Sequence, residues 1–428
     1  MKKSFGLFPK ITPNFWIIIQ KIVYKFWITI FFAIFVADWK MEKYKDMGLI
    51  KRHLEQVITD LMFCGKAIVL VGARQVGKST LFRQIIGRMD GKVADAEVLF
   101  IDCDDPEQRA LLEKANIATL QQLLADRRLV VIDEAQRVKG IGLTLKMITD
   151  HFSDVQLLVT GSSSFMLQGQ LNEPLTGRKF EYHLYPVSTQ ELFENGGLIR
   201  VRQTLESRLI YGSYPEVVSG ERDIRNLLMN LSGSYMYQDL LSMEGVRKPV
   251  ILEKLLVALA LQIGSEVSYN ELAQTVGSDS KTVEKYVDLL EKCYVIFRLN
   301  GLSRNLRNEL KKSKKIYFYD NGIRNAVIQQ FSPSGKRNDM GALWENFFIS
   351  ERKKFNHYNG RYANTYFWRT NERQEIDYIE ESDGTMTAFE MKWNPRKGNA
   401  TFPKSFLEAY DVKATSVVTP DNYLDFLI

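Results

Sequence analysis

Lys66 to Leu81 reads KAIVLVGARQVGKSTL. Its first part, Lys66 to Val71, is almost wholly aliphatic or β-branched, as expected for a buried strand of a parallel sheet. Gly72-Ala73-Arg74-Gln75-Val76-Gly77-Lys78-Ser79 then fits G-x-x-x-x-G-K-[ST] at every fixed place, Thr80 follows, and a helical pattern begins at Ser79. Strand, glycine loop and helix in that order predict a phosphate-binding loop. Glycines let the backbone wrap an anion without Cβ clashes. Successive N–H groups and the helix N-terminus then present positive potential to phosphate. On this reading Gly72 to Thr80 cradles ATP, Lys78 reaches the β- and γ-phosphates, and the Ser79 hydroxyl ligates Mg²⁺. The bland reading, a chance glycine turn, has to explain both the motif and its context.

Further along, Glu97 to Asp102 (EVLFID) reads as a second strand and Leu129 to Ile132 as a third, running into Asp133-Glu134. Four apolar residues followed by an acid pair form the Walker B pattern. Asp133 is expected to hold the Mg²⁺ shell through water, and Glu134 to polarise the attacking water as general base. An adjacent acid pair on its own is often a solvated strand end. Val155 to Thr160 reads as a fourth strand, followed by Gly161-Ser162-Ser163-Ser164. Thr160 and Ser162 are the candidates for sensing the γ-phosphate, against the alternative of a Gly/Ser turn with no nucleotide contact. Leu175-Thr176-Gly177-Arg178 precedes a fifth strand, Phe180 to Tyr185. Arg178 reads either as a surface residue or as an arginine reaching the phosphates of its own or a neighbouring subunit.

The chain has 428 residues, enough for two to four domains. Cys64, Cys103 and Cys293 are far apart and odd in number. That is neither a disulfide framework nor a zinc spacing, and it points to a reducing, cytoplasmic setting. The net charge of +6 is concentrated at the N-terminus, where residues 1–40 hold six lysines and one acid. A global charge argument for nucleic acid therefore fails, while residues 300–428, with 20 basic and 16 acidic residues, retain a modest local one. Residues 1–46 form an apolar segment unlike the rest. Within residues 15–37 the uncharged run Phe26 to Ala37 is 12 residues, short against the roughly 20 that span hydrocarbon. It reads as an upstream extension with Met41 or Met47 as the working start, as a single membrane anchor, or as a packed helix.

Residues 47–185 are thus assigned to the ATPase core and 186–248 to a helical lid. Within the lid, Ser188-Thr189-Gln190-Glu191 is a capping signal and Tyr211-Gly212-Ser213-Tyr214-Pro215 a turn. Residues 249–300 read as three helices and a strand, a winged helix-turn-helix. Lys281, Thr282, Glu284 and Lys285 would face the groove if it docks duplex DNA; a structural or protein-docking role is the alternative. Residues 301–428 form a last α/β domain, ordered α-β-β-β-α-β from Met340. Asp377, Glu390 and Lys392 have D-x(12)-E-x-K spacing. Glu390 and Lys392 share one face of a strand, and Asp377 lies on its hairpin partner. Two converging carboxylates can bind Mg²⁺, a neighbouring lysine can orient or deprotonate a water, and Glu345 on the preceding helix could add a ligand. The competing reading is a solvated strand face.

Taken together, Gly72 to Ser79, Val131-Ile132-Asp133-Glu134-Ala135, Thr160-Gly161-Ser162, Gly177-Arg178, Tyr211 to Pro215, Glu375-Ile376-Asp377 and Phe389-Glu390-Met391-Lys392 resemble a prokaryotic family. Its members are AAA+-like P-loop ATPases fused to a winged helix and a C-terminal domain similar to the restriction-endonuclease-like PD-(D/E)XK fold. The resemblance covers all but about the first 46 residues. It implies ATP binding and hydrolysis with Mg²⁺. The partner stays open: DNA, an unknown protein, or a second copy donating Arg178. The first two functional expectations are an ATPase cycle controlling a nuclease-like domain and a nucleotide switch that binds its partner without cleavage. A membrane-anchored ATPase is the third, if residues 15–37 are retained.

Overall fold

The computed structural model describes residues 50–89, 93–162, 174–220, 223–235, 246, 248–302, 313–370, 372, 374–394, 396 and 401–428. The expectations placed on residues 1–49, Ser163, Ser164, 236–240 and 306–312 lie outside the described residues. None of the helices among the described residues is long and apolar enough to cross a membrane.

The first unit comprises α1 (Leu54–Asp60), β1 (Ala67–Val71), α2 (Lys78–Gly87), β2 (Val98–Asp102), α3 (Pro106–Glu113), α4 (Ile117–Leu124), β3 (Leu129–Asp133), α5 (Ile141–His151), β4 (Gln156–Gly161) and β5 (Lys179–His183). Its strands form one parallel sheet in the order β2-β3-β4-β1-β5. Alternation divides the apolar residues between two faces. Val69, Val130, Ile132 and Val159 pack with Leu112, Leu120 and Leu145 of α3, α4 and α5. Ile68, Leu70, Val131 and Leu158 pack with Leu54, Ile58, Phe82 and Ile85 of α1 and α2. Both faces are covered, so the strands read as continuous apolar runs. The crevice at the carboxyl ends of β1 and β3 is where ligands bind in open parallel sheets.

Four helices follow: α6 (Thr189–Gln203), α7 (Leu205–Tyr211), α8 (Pro215–Ser219) and α9 (Ile224–Asn230). The cap anticipated at Ser188 is present. Its hydroxyl accepts from the Glu191 N–H at 3.1 Å, and the Glu191 carboxylate accepts from the Ser188 N–H at 2.8 Å.

Next come α10 (Pro249–Leu261), β6 (Glu266–Val267), α11 (Tyr269–Val276), α12 (Ser280–Lys292), β7 (Ile296–Gly301) and β8 (Lys314–Phe318). The chain ends with α13 (Asn321–Val327), α14 (Met340–Tyr358), β9 (Asn364–Arg369), β10 (Glu375–Ser382), β11 (Thr385–Met391), α15 (Lys404–Leu407) and β12 (Val412–Val418). From α14 onward the order is the α-β-β-β-α-β anticipated. The boundary expected at 300/301, however, falls inside a single sheet of order β12-β11-β10-β9-β7-β8-β6. Asn300 and Gly301 of β7 pair in parallel with Tyr366 and Phe367 of β9. β8, just past that boundary, pairs with β7 and β6. Local pattern does not reveal this, because β7 and β9 are joined only through long-range pairing.

The Tyr211-Gly212-Ser213 turn and the start of α13 interlock. Asp320 accepts from the Ser213 N–H at 2.7 Å and caps α13 through the Ile323 N–H at 3.2 Å. Asn321 and Asn325 donate to the Leu209 carbonyl, and Asn325 also to that of Ile210. A Cβ on Gly322 would lie 2.1 Å from the Tyr211 carbonyl oxygen. Replacing a helical glycine by alanine ordinarily stabilises by about 0.5–1 kcal/mol. Here Gly322→Ala should destabilise by about 1–3 kcal/mol through overpacking, lowering the thermal midpoint of the full chain. A raised midpoint would contradict the interlock.

Candidate functional site

The sequence-predicted loop residues line a cleft of about 710 Å³ at the carboxyl ends of β1 and β3. Arg74, Gln75, Gly77, Lys78, Ser79 and Thr80 face it, joined by Asp133 and Glu134. Gly72 is needed for close approach, since a Cβ there would sit 2.3 Å from the Leu184 carbonyl oxygen. The Lys78 ammonium donates to the carbonyls of Gly72 (3.1 Å) and Ala73 (2.9 Å). Ser79 Oγ lies 2.8 and 2.7 Å from the two carboxylate oxygens of Asp133. A hydroxyl and a carboxylate side by side next to a phosphate cradle fit Mg²⁺, which is held by one or two protein oxygens plus phosphates and water. Glu134 sits in the left-handed region at φ 51°, a conformation that non-glycine residues adopt at a cost and that clusters at functional sites.

Thr160 and Ser162 take positions different from those expected of sensors facing the cleft. Both are buried. Thr160 Oγ1 donates to Asp133 and accepts from the Glu134 N–H at 3.0 Å, so it fixes the acid pair from behind. Ser162 Oγ accepts from Gln136 Nε2 at 2.7 Å, and the same amide donates to Glu134. Gln136 thereby orients the candidate base; nothing in its local sequence marks it. Arg178 is at the amino end of β5, beside Ala67, the end of the sheet opposite the phosphate loop. Its guanidinium pairs with Asp150 at 2.5 Å. Parallel pairing with β1 imposes that separation, so reaching the phosphates of its own chain is corrected by the structure. Cys103, behind the site, has its thiol pushed up to about 12 by burial and then by Asp102 and Asp133.

Sequence reading also missed Arg52. It is 5% exposed, and its guanidinium donates to the carbonyls of Val76 (2.8 Å) and Tyr185 (2.6 Å) and to Glu191 (3.0 Å). It therefore braces the phosphate loop against the edge strand and α6. Ile50, Val187, Pro215, Glu216 and Ser219 close the cleft from the other side.

The second constellation lies on β10 and β11. Register places Asp377 directly opposite Glu390, one step beyond the Tyr378–Phe389 pair. A bulge between Ile376 and Ile379 sets Asp377 and Tyr378 against the single residue Phe367 of β9, and bulges re-aim side chains beside sites. Opposed like charges are unfavourable. Burial, then the Glu345 and Glu390 carboxylates, raise the Asp377 carboxyl well above its ordinary range, against the opposing effect of Lys315. Lys392 pairs with Glu390 at 2.5 Å. The sequence-predicted acids are thus brought together, but each is already engaged. Asp377 accepts from the Met391 N–H at 2.8 Å. Glu345 accepts from Tyr317 at 2.6 Å and Lys315 at 3.2 Å. Among the described residues no three His, Cys, Asp or Glu side chains are gathered to hold a metal ion. In this conformation the set of Glu345, Asp377 and Glu390 does not fit Mg²⁺.

Comparison with known proteins covers the chain in three pieces. Residues 65–193 match a family model described as an AAA domain. Residues 202–334 and 340–425 match two domains of unknown function (DUF8612 and DUF4143). An uncharacterized protein of Mycobacterium tuberculosis is 27% identical over 365 residues, 83% of this chain and 77% of that one. One of Haemophilus influenzae is 25% identical over 279 residues, 61% of this chain and 68% of that one. Among solved structures, AMPPCP-bound DnaA from Aquifex aeolicus is 15% identical with a TM-score of 0.29, covering 56% of this chain and 86% of that one. PCH-2 from C. elegans is 12% identical with a TM-score of 0.28, covering 58% and 72%. Scores this low carry no inference about activity. The parallel sheet, the phosphate loop and the AAA match make residues 65–193 an AAA-like P-loop ATPase domain.

These placements separate two basic residues. Lys78→Ala should weaken Mg·ATP binding, measured by calorimetry, by about tenfold or more, the loss of roughly 1.4 kcal/mol. Arg178→Ala should leave the affinity of one chain within about twofold, since its side chain lies at the other end of the sheet. A comparable loss in Arg178→Ala would contradict the placement or reveal donation from a neighbouring copy.

Proposed function

We propose that the chain is an Mg²⁺-dependent ATPase whose cycle controls a nuclease-like, DNA-directed C-terminal region. The observation that carries the ATPase reading is the Ser79–Asp133 contact within a phosphate cradle, with Glu134 held beside it by Gln136 and Thr160. Mg²⁺, held by Ser79 and through water by Asp133, would offset phosphate charge. Lys78 would exchange its carbonyl acceptors for β- and γ-phosphate oxygens. Glu134 would accept a proton from water as its oxygen bonds to the γ-phosphorus and the bond to the bridging oxygen breaks.

DNA docking is assigned to α12, which with α10, α11 and the β7–β8 hairpin we read as a winged helix. Lys281 and Lys285 are exposed on it, with Glu284 between them. The lid would be α6 to α9. Asp377, Glu390 and Lys392 are the candidates for acting on a phosphodiester. A second reading, a nucleotide switch that binds DNA or a protein without cleaving, is favoured by the engagement of every carboxylate in that set. Arg178 could then serve a neighbouring copy in an oligomer.

ATP turnover by the full chain with Mg²⁺, with and without duplex DNA, tests the proposal. Turnover should rise with DNA and fall by about a hundredfold or more in Glu134→Gln, the scale of a lost general base. Tight ATP binding with no turnover in either condition would refute the ATPase reading and leave the switch.

A further inference from the structure

Among the described residues, the arginines that line the nucleotide cleft are Arg52 and Arg74. Arg52 is committed as a brace, its donors spent on Val76, Tyr185 and Glu191. Arg74 is placed differently. It is the third residue of the phosphate loop, and its side chain is 20% exposed. Its Nη2 stands 3.9 Å from Asp104 Oδ2. Asp104 lies between β2 and α3, is 45% exposed, and borders the cleft with Asp102, Asp133 and Glu134. Its other oxygen is held more closely by Arg137 Nε, at 3.1 Å. An ion pair this long and this exposed contributes about 0–1 kcal/mol, so Arg74 leaves Asp104 at little cost. Arg137 stays behind, and the carboxylate keeps a partner.

We propose that Arg74 is the arginine that stabilises the γ-phosphoryl charge during ATP hydrolysis, supplied in cis by the phosphate loop itself and parked at rest beside Asp104. This rests on the ATPase reading above. Phosphoryl transfer spreads negative charge over the equatorial oxygens of the γ-phosphoryl, and an arginine commonly meets it. Arg178 cannot do so within one chain, because it stands at the opposite end of the sheet. Arg74 starts from the loop that wraps the phosphates, and its side chain already lies in the cleft. In the step assigned to it, the water oxygen bonds to the γ-phosphorus and Glu134 takes the water proton. The bond from phosphorus to the bridging oxygen breaks, and ADP leaves with that electron pair. The guanidinium fork donates N–H groups to the γ-phosphoryl oxygens throughout and transfers no proton, since arginine stays charged. The competing role is packing. Arg74 also borders a cavity of about 30 Å³ against Cys293, Tyr294 and Val295, at the turn between α12 and β7.

The test uses the full chain with Mg²⁺ and compares wild type with Arg74→Gln. It reads ADP affinity, affinity for ADP with aluminium fluoride (a mimic of the transferring phosphoryl group) and ATP turnover. ADP affinity should stay within about twofold, because an interaction made only in the transition state leaves the ground state alone. Retained ADP binding also shows that the variant folds. Affinity for ADP with aluminium fluoride should fall about a hundredfold or more. Turnover should fall about a thousandfold, the scale of a lost transition-state arginine. Arg74→Lys keeps the charge without the planar fork and should show the same selective loss, about tenfold; it carries the test if Arg74→Gln does not fold. Turnover per chain should not change with protein concentration. Equal losses of both affinities with a lowered thermal midpoint would make Arg74 a packing residue and overturn the proposal. Turnover per chain that rises with concentration would assign the charge to a neighbouring copy and overturn it too. Wild-type turnover that Arg74→Gln leaves intact sinks the arginine alone. Wild type that binds ADP, yet neither hydrolyses ATP nor gains affinity with aluminium fluoride, sinks the ATPase reading and the arginine with it.

Discussion

The guanidinium of Arg52 holds three separate stretches of chain in one geometry. Its donors fall on the carbonyl of Val76 inside the phosphate loop, the carbonyl of Tyr185 past the edge strand, and the carboxylate of Glu191 in α6. Both charges are buried, so neither water nor another rotamer substitutes for these partners. Removing one member of such a pair costs about 3–5 kcal/mol because the other is left uncompensated. The loop's curvature around an anion thus depends on a residue that precedes it by more than one element and on a lid that follows the sheet. Tyr358 extends the anchor: its hydroxyl accepts from the Tyr185 N–H at 3.1 Å, and its carbonyl lies 3.1 Å from His53 Nε2.

Tyr358 is the last residue of α14, and Glu345 is near its start. Thirteen residues at 1.5 Å each separate them by about 20 Å. Midway, Glu351 is buried and accepts from the N–H and hydroxyl of Thr189 (2.5 and 2.6 Å) and from Lys354 at 2.6 Å, with Arg208 3.3 Å away. One helix therefore touches the brace of the phosphate loop at its end, the lid at its middle and the C-terminal carboxylates at its beginning. α14 thus spans the distance between the two candidate sites.

Much of this was legible in the residues, because much of it is local. The phosphate loop, the acid pair ending β3 and the Ser188 cap all depend on neighbours within a few positions. The pairing of Asp377 with Glu390 also follows from a short hairpin. What escaped the sequence reading is what long-range pairing decides. Arg178 lies beside a phosphate-loop strand yet at its wrong end, a distinction that only register supplies. Thr160 stands at the end of its strand, but the fold turns its hydroxyl to Asp133 and the Glu134 amide. Arg52, Gln136 and Lys315 belong to no pattern, since each acts on a partner from another element. The same holds for the sheet that crosses 300/301: β7 finds β9 across more than sixty residues of intervening chain.

The two sites treat their lysines differently, and charge explains the difference. Lys78 rests on the neutral carbonyls of Gly72 and Ala73. Exchanging those for anionic phosphate oxygens turns ammonium–carbonyl hydrogen bonds into ion-paired ones. Lys315 and Lys392 rest on carboxylates, so an incoming group has to outcompete a full ion pair. The phosphate loop is consequently poised to engage its ligand as it stands. The carboxylate site is neutralised from within by Lys315 and Lys392.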